Sequence, residues 1–213
     1  MEKEMKTIHK ILGLASLLIG LSAQAKTTGS IEVMAGDKSA TLDVKVSGDL
    51  ANKVGVFARA RTSANYAQPK EVGYFTLVDI TGELGGGFDA VGEVQFIQGV
   101  GPVPRFGFQY FGQVRGFSGY GLVSLKIGDN PNLELIAILK YQHPLTENLA
   151  VKVGVEHLTD LCSKGHEFST QRIRIGLEIE GWHFGPAVDF TEAGQGEALQ
   201  FDYNVGGFVR KEF

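Results

Sequence analysis

The final thirteen residues, FDYNVGGFVRKEF (201–213), alternate between two unlike rows. Phe201, Tyr203, Val205, Val209 and Phe213 fall on one side of an extended chain, while Asp202, Asn204, Arg210 and Glu212 fall on the other. The segment is therefore a strand with one apolar and one ionic face. A helix does not fit it, because apolar side chains on a helix recur every three or four residues.

The same period of two extends back through the chain. Leu42, Val44 and Val46 alternate with Thr41, Asp43, Lys45 and Ser47. Val54, Val56, Ala58 and Ala60 oppose Lys53, Arg59 and Arg61, and Leu149, Val151, Val153 and Val155 oppose Lys152 and Glu156. Ile173, Ile175, Leu177 and Ile179 oppose Arg172, Arg174, Glu178 and Glu180. Three segments also resemble one another: SGDLANKVGVFARA from Ser47, TGELGGGFDAVGEV from Thr81 and HPLTENLAVKVGVE from His143. Each opens with a polar turn at a leucine (Leu50, Leu84, Leu145) and continues as an alternating strand, so the repeating unit is a hairpin of about 31 residues.

Six such hairpins place strands at 30–35, 40–49, 54–63, 72–82, 87–98, 104–114, 118–128, 132–142, 148–158, 168–180, 183–191 and 197–213. Ten strands is the smaller alternative. The first strand and the pair from Trp182 to Phe190 carry the weakest pattern. Connections at one end are tight (DLANK, ELGGG, RGFS, PLTEN, EGWHF), whereas the other end includes TSANYAQPKEV, QGVGPVP, the segment from Thr159 to Glu167, and TEAGQGE. Short turns on one side and longer loops on the other are the pattern of a membrane barrel.

Composition narrows the class. With 43% hydrophobic and 21% charged residues, the 213-residue chain has enough apolar surface to fold as one domain. The single Cys162 excludes a disulfide framework and a Cys-rich zinc site, and a net charge of −4 lacks the basic footprint of a nucleic-acid binder. Residues 1–25 combine a Lys-bearing start, an apolar run from Ile11 to Leu21 and the triplet Ala23-Gln24-Ala25, which reads as a secretory signal peptide cleaved after Ala25. Beyond it no apolar run approaches the roughly 18 residues of a membrane helix. The exported part, 26–213, is expected to be a single domain.

Alternation alone does not say which row points inward. A soluble lipocalin-like barrel or sandwich puts the aliphatic row inside; a membrane barrel puts it outside. The C-terminal strand resembles the closing strand of Gram-negative outer-membrane β-barrel proteins, which typically ends in Phe and is read by the barrel assembly machinery. Tyr203, Val209 and Phe213 match that signal, and Lys211 departs from it. The resemblance implies an all-β, closed antiparallel transmembrane β-barrel in the outer membrane, with membrane lipids and the assembly machinery as partners. Tyr74, Phe106, Phe108, Tyr110, Tyr120, Tyr141, Trp182 and Phe184 suit interfacial girdles.

In such a barrel the inward row holds Asp43, Lys45, Arg59, Arg61, Glu93, Arg105, Gln109, Arg115, Glu134, Lys140, Lys152, Glu156, Arg172, Arg174, Glu178, Asp202 and Arg210. Lumen-facing guanidinium groups attract anions and oppose cations, so this charge ladder is the candidate functional element. Its mixed sign leaves two outcomes open, a narrow pore or a lumen filled by ion pairs.

Catalytic and cofactor motifs are weak. Gly85-Gly86-Gly87-Phe88-Asp89-Ala90 fits a dinucleotide fingerprint in letters, but a strand follows it instead of the helix that would hold a pyrophosphate. A Ser-His lipid hydrolase at the rim, resembling outer-membrane phospholipases and lipid A deacylases, would draw on His157, Ser163, His166 and Ser169, with Asp160 or Glu167 orienting the base. His157, Cys162 and His166 are the only metal set worth weighing. The expected function is a passive channel for small polar or anionic solutes that needs no metal or cofactor, of a size similar to the small monomeric oligosaccharide- and nucleoside-type porins. A closed structural or adhesive barrel and the rim hydrolase are its alternatives.

Overall fold

The computed structural model describes residues 27–68, 72–194 and 199–213, so the leader segment lies outside the described residues. Twelve strands close into one barrel. In chain order they are β1 (Thr28–Gly36), β2 (Ser39–Ala51), β3 (Val54–Asn65), β4 (Val72–Gly85), β5 (Phe88–Ile97), β6 (Gly101–Val114), β7 (Phe117–Lys126), β8 (Asn132–Pro144), β9 (Leu149–Cys162), β10 (Gly165–Ile179), β11 (Trp182–Ala193) and β12 (Gln200–Glu212). Each pairs antiparallel with its chain neighbours, and β1 pairs with β12 to close the ring. Most strands exceed the roughly 9–11 residues that cross a bilayer at a tilt.

Turn chemistry explains the tight end. Gly86-Gly87, Arg115-Gly116 and Glu180-Gly181 each have positive φ at both positions (65° and 85°, 44° and 83°, 51° and 78°). Two-residue turns of that kind match the twist of the strands they join. Arg115 consequently occupies a turn and is exposed, so it leaves the ladder in which the alternation placed it. At the opposite end, six residues separate β3 from β4 and six separate β11 from β12, but the expected long loop from Thr159 to Glu167 is absent. A register shift between His166 and Phe168 lets β9 and β10 keep pairing to Cys162 and Gly165, leaving only residues 163–164 as the turn.

The faces divide as a membrane barrel requires. Ile31, Val33, Leu42, Ile80, Val94, Leu125, Leu139, Val155, Ile175 and Leu177 are exposed on the outer wall, whereas Glu32, Asp43, Arg59, Glu93, Arg105, Glu134 and Arg174 are buried inside it. An apolar belt of this extent matches hydrocarbon and would be costly in water. Aromatic residues Phe106, Phe108, Tyr110, Trp182 and Phe184 lie exposed on the outer wall. Tyr120 departs from that group: it faces inward and its hydroxyl donates to Gln109 Oε1 at 3.1 Å. The inner row is also less polar than alternation predicts. Met34, Ala187 and Phe208 form a buried apolar cluster, and Leu77, Val91, Val103 and Leu122 are buried as well.

Closure is made at the β1–β12 seam. Gly29 N–H donates to Phe213 O at 2.8 Å and Phe213 N–H donates to Gly29 O at 3.0 Å. The Phe213 ring covers Gly29, where a Cβ would stand 2.7 Å from ring carbons. Farther up, Gly206 passes so close to β1 that an added Cβ would stand 1.9 Å from Ala35 O, a backbone atom that cannot swing away. Gly206→Val is therefore expected to abolish the heat-modifiable folded band on a gel. Gly82→Ala, with nothing within 4 Å of its new methyl, should leave that band intact.

Candidate functional site

Among the described residues, charge gathers chiefly in the lumen. Small barrels of eight strands are filled by side chains and barrels of 16–18 strands hold water channels, so twelve lies between, where long side chains decide whether the passage is open. Here they reach across. Arg59 on β3 donates from Nε to Asp43 Oδ1 at 2.9 Å and from Nη1 to Glu156 Oε1 at 2.7 Å. Strands β3 and β9 are six places apart in a ring of twelve, so the Arg59–Glu156 contact spans the lumen.

Glu156 is the hub of this strap. It also receives Lys45 Nζ at 3.0 Å and an Arg172 guanidinium nitrogen. Arg61 reaches Asp189 at 2.7 Å, Arg174 reaches Asp189 at 2.7 Å and Glu32 at 3.0 Å, and Arg210 pairs with Glu32. On this side of the barrel, six cations (Lys45, Arg59, Arg61, Arg172, Arg174, Arg210) share four carboxylates (Glu32, Asp43, Glu156, Asp189). This cluster is net cationic.

The facing side has the opposite sign. Arg105 lies 3.6 Å from Glu93, 3.8 Å from Glu134 and 3.7 Å from Asp160, and is held by Ser124 Oγ and Asn132 Oδ1 at 2.8 Å each. Gln95 Nε2 bridges Glu93 and Glu134 at 2.7 and 3.0 Å. Asp79 is the direct cross-strand partner of Glu93. Arg105 is thus one guanidinium among four carboxylates. Near the end that carries the chain termini, Lys152 pairs with Glu178 at 3.5 Å and Glu212 at 2.9 Å.

Most of the ladder read from the alternation does line the lumen: Arg59, Arg61, Glu93, Arg105, Glu134, Glu156, Arg172, Arg174, Glu178 and Arg210 enter the pairs above, and Lys140 lines the cavity described next. Glu32, Asp79, Asp160, Asp189 and Glu212 were missed. Glu32 and Asp189 stand in the two regions of weakest pattern, and Asp79 shares its inner row with Phe75 and Leu77, which masks the alternation. Between the walls lies a cavity of about 670 Å3, extending toward the termini past Ser30, Ser47 and Glu212. Part of its lining is apolar: Phe57, Leu77, Tyr120, Leu122, Ile136 and Ile138.

The candidate hydrolase residues also meet, but not productively. His166 Nε2 lies 2.7 Å from Ser169 Oγ, which in turn lies 2.6 Å from Thr159 Oγ1. Ser169 is only 4% exposed and its oxygen is engaged twice. The other imidazole nitrogen faces the backbone carbonyl of Gly194 at 3.3 Å, while Asp160 belongs to the inner row and cannot orient it. His157 and His166 lie on the outer wall and Cys162 on the inner one, so the candidate metal set does not converge. Tyr203 and Val209 on β12 and Phe213 just after it face outward, and the Lys211 ammonium lies over the Trp182 ring, 5.2 Å from its centroid, and donates to Glu180 O at 2.7 Å.

No protein-family profile and no curated protein sequence matches the chain. Solved structures do. The chain is similar to the KdgM porin, with 11% identity over 87% of this chain and 99% of that one, at a TM-score of 0.52. It is similar to the KdgM porin in complex with disordered oligogalacturonate, with 12% identity over 87% and 99% of the two chains, at 0.50. A NanC porin structure follows at 7% identity, 88% and 98% coverage, and 0.49. At such identities the likeness concerns the fold. Glu156→Gln should lower stability by about 3 kcal/mol, because it strips three buried or half-buried cations of their shared partner; the urea midpoint of the folded gel band measures this. Asp202→Asn, which breaks only the exposed Lys38–Asp202 pair, should leave the midpoint unmoved.

Proposed function

We propose that the protein is a narrow, non-enzymatic channel of the outer membrane that passes small polar and anionic solutes, exported through cleavage of its first 25 residues. The observation that carries this reading is the net cationic mid-lumen cluster contributed by β9–β12 and β1–β3, set beside a cavity of about 670 Å3 inside a closed barrel. Surplus guanidinium groups on a low-dielectric wall raise the local concentration of anions and oppose cations. The likeness to a porin fold supports the same reading. Tyr203, Val209 and Phe213 would serve assembly and lipid contact, as their outward placement suits both.

One observation favours a second reading. The Arg59–Glu156 strap crosses the lumen, and a barrel sealed by it would be structural or adhesive. In the channel reading the strap sets the width of the passage, and side chains alone form it. The two make opposite predictions in planar bilayers. For a channel, Arg59→Gln and Glu156→Gln should both raise the single-channel conductance, while selectivity moves in opposite directions: Arg59→Gln lowers the anion preference and Glu156→Gln raises it. Silence of the wild type and of both variants, each verified as folded by its gel mobility, would assign the barrel to the closed class.

A further inference from the structure

Strand β8 departs from the two-faced pattern. Its inner row runs Glu134, Ile136, Ile138, Lys140, with two isoleucines where a lumen that only steers ions would carry polar groups. Ile136 pairs directly with Leu122 on β7 and Ile138 with Tyr120, so the four make an apolar patch on the cavity wall. Both isoleucines are only half-buried, which leaves apolar surface turned to the cavity. Lys140 follows on the same row, roughly 7 Å along the strand from Ile138. It is exposed within the cavity and makes no hydrogen bond or ion pair to the described residues. The carboxylates of that half are engaged elsewhere: Glu178 and Glu212 by Lys152, Glu156 by Lys45, Arg59 and Arg172. The register partner of Lys140 on β9 is Gly154, where an added Cβ would find nothing within 4 Å, so space stands open beside the ammonium. Toward the loop end the inner residues Gln95, Val103, Arg105, Ser124 and Glu134 are at most 5% exposed, so the cavity is a cup that widens toward the chain termini.

Resting on the channel reading above, we infer that the cavity binds small amphipathic carboxylates, molecules with one carboxylate and a compact aromatic or aliphatic body. The carboxylate sits at Lys140 and the body lies against Ile138, Ile136, Leu122 and Tyr120. A hydroxylated anion pairs with the ammonium but sets hydroxyl groups against the isoleucines, where they lose water without gaining a partner. A neutral apolar molecule covers the isoleucines and leaves the ammonium without a counter-ion. Only a solute with both parts satisfies the two neighbouring surfaces at once, and it does so by contacts with adjacent strands. The net cationic cluster on the other side of the cavity, reached through Lys45, Arg59 and Arg172, adds a longer-range attraction for the anion. A cavity of about 670 Å3 is in the range that encloses small ligands.

The test is calorimetry on the full barrel in lipid nanodiscs, with empty nanodiscs as reference, using phenylacetate, gluconate and phenylacetamide. Phenylacetate should bind about tenfold or more tightly than either of the others, since gluconate has the charge without the apolar body and the amide has the body without the charge. Lys140→Gln should bring phenylacetate down to the level of the amide, and Gly154→Val, which fills the open space, should weaken it by a similar factor. Gel mobility confirms that each variant folds, and Lys140 has no protein partner to lose. Equal binding of gluconate and phenylacetate by the wild-type barrel, binding of none of the three, or undiminished binding of phenylacetate by folded Lys140→Gln overturns the inference. Liposome swelling separates this from the channel reading. Entry of gluconate and phenylacetate without selective binding keeps the channel and removes the site, whereas selective binding by a barrel that excludes every solute keeps the site and removes the channel.

Discussion

Two backbone hydrogen bonds between Gly29 and Phe213 stand for the constraint on which the structure depends. In hydrocarbon no peptide group can turn to water, so a sheet that crosses a membrane cannot keep an edge. The β1–β12 register, from Ser30–Glu212 to Gly36–Gly206, removes that edge. The glycines of the seam follow from this: Gly29 accepts the terminal aromatic ring and Gly206 lets two backbones approach where a side chain would collide with a carbonyl oxygen. Lys211, the one residue of the last strand that departs from the closing signal, causes no conflict because its ammonium leaves the apolar belt for Glu180 O.

Closure forces charge into a confined space, and the arrangement there is not a simple ladder. Cross-strand neighbours such as Asp43 with Arg59 are backed by contacts between distant strands, of which Arg59–Glu156 is the longest in ring distance. Buried ion pairs add little net stability over apolar packing, but removing one partner leaves charge stranded. The network is therefore better understood as a device that fixes lumen width and polarity than as the source of stability. Its two halves differ in sign, and the cavity between them also presents an apolar surface. In the proposed channel, size, charge and apolar contact would thus act on a solute at one level.

How far the sequence could be read depends on the strand. In β2, β3, β9, β10 and β12 one row is aliphatic or aromatic and the other ionic, so register, face and lumen residues such as Arg59, Glu156, Arg172 and Arg210 follow directly from the period of two. In β4, Phe75 and Leu77 share the inner row with Asp79, and the pattern loses contrast. Arg115 kept the right parity yet stands in a turn, since a Gly after it allows the two positive φ values of a tight hairpin. The His166–Phe168 register shift, which turns an expected loop into paired strand, leaves no compositional mark.

The alternation, the turn residues and the terminal phenylalanine determined by themselves that the chain is a run of antiparallel hairpins with one greasy and one ionic face, because these properties are local and repeat every second residue. Which residues meet inside was decided by tertiary structure alone. Arg59 and Glu156 are 97 positions apart, and only ring closure with a given strand number and register sets them face to face. The same holds for Arg61 and Asp189, 128 positions apart and brought together across strands that the chain order alone does not make neighbours.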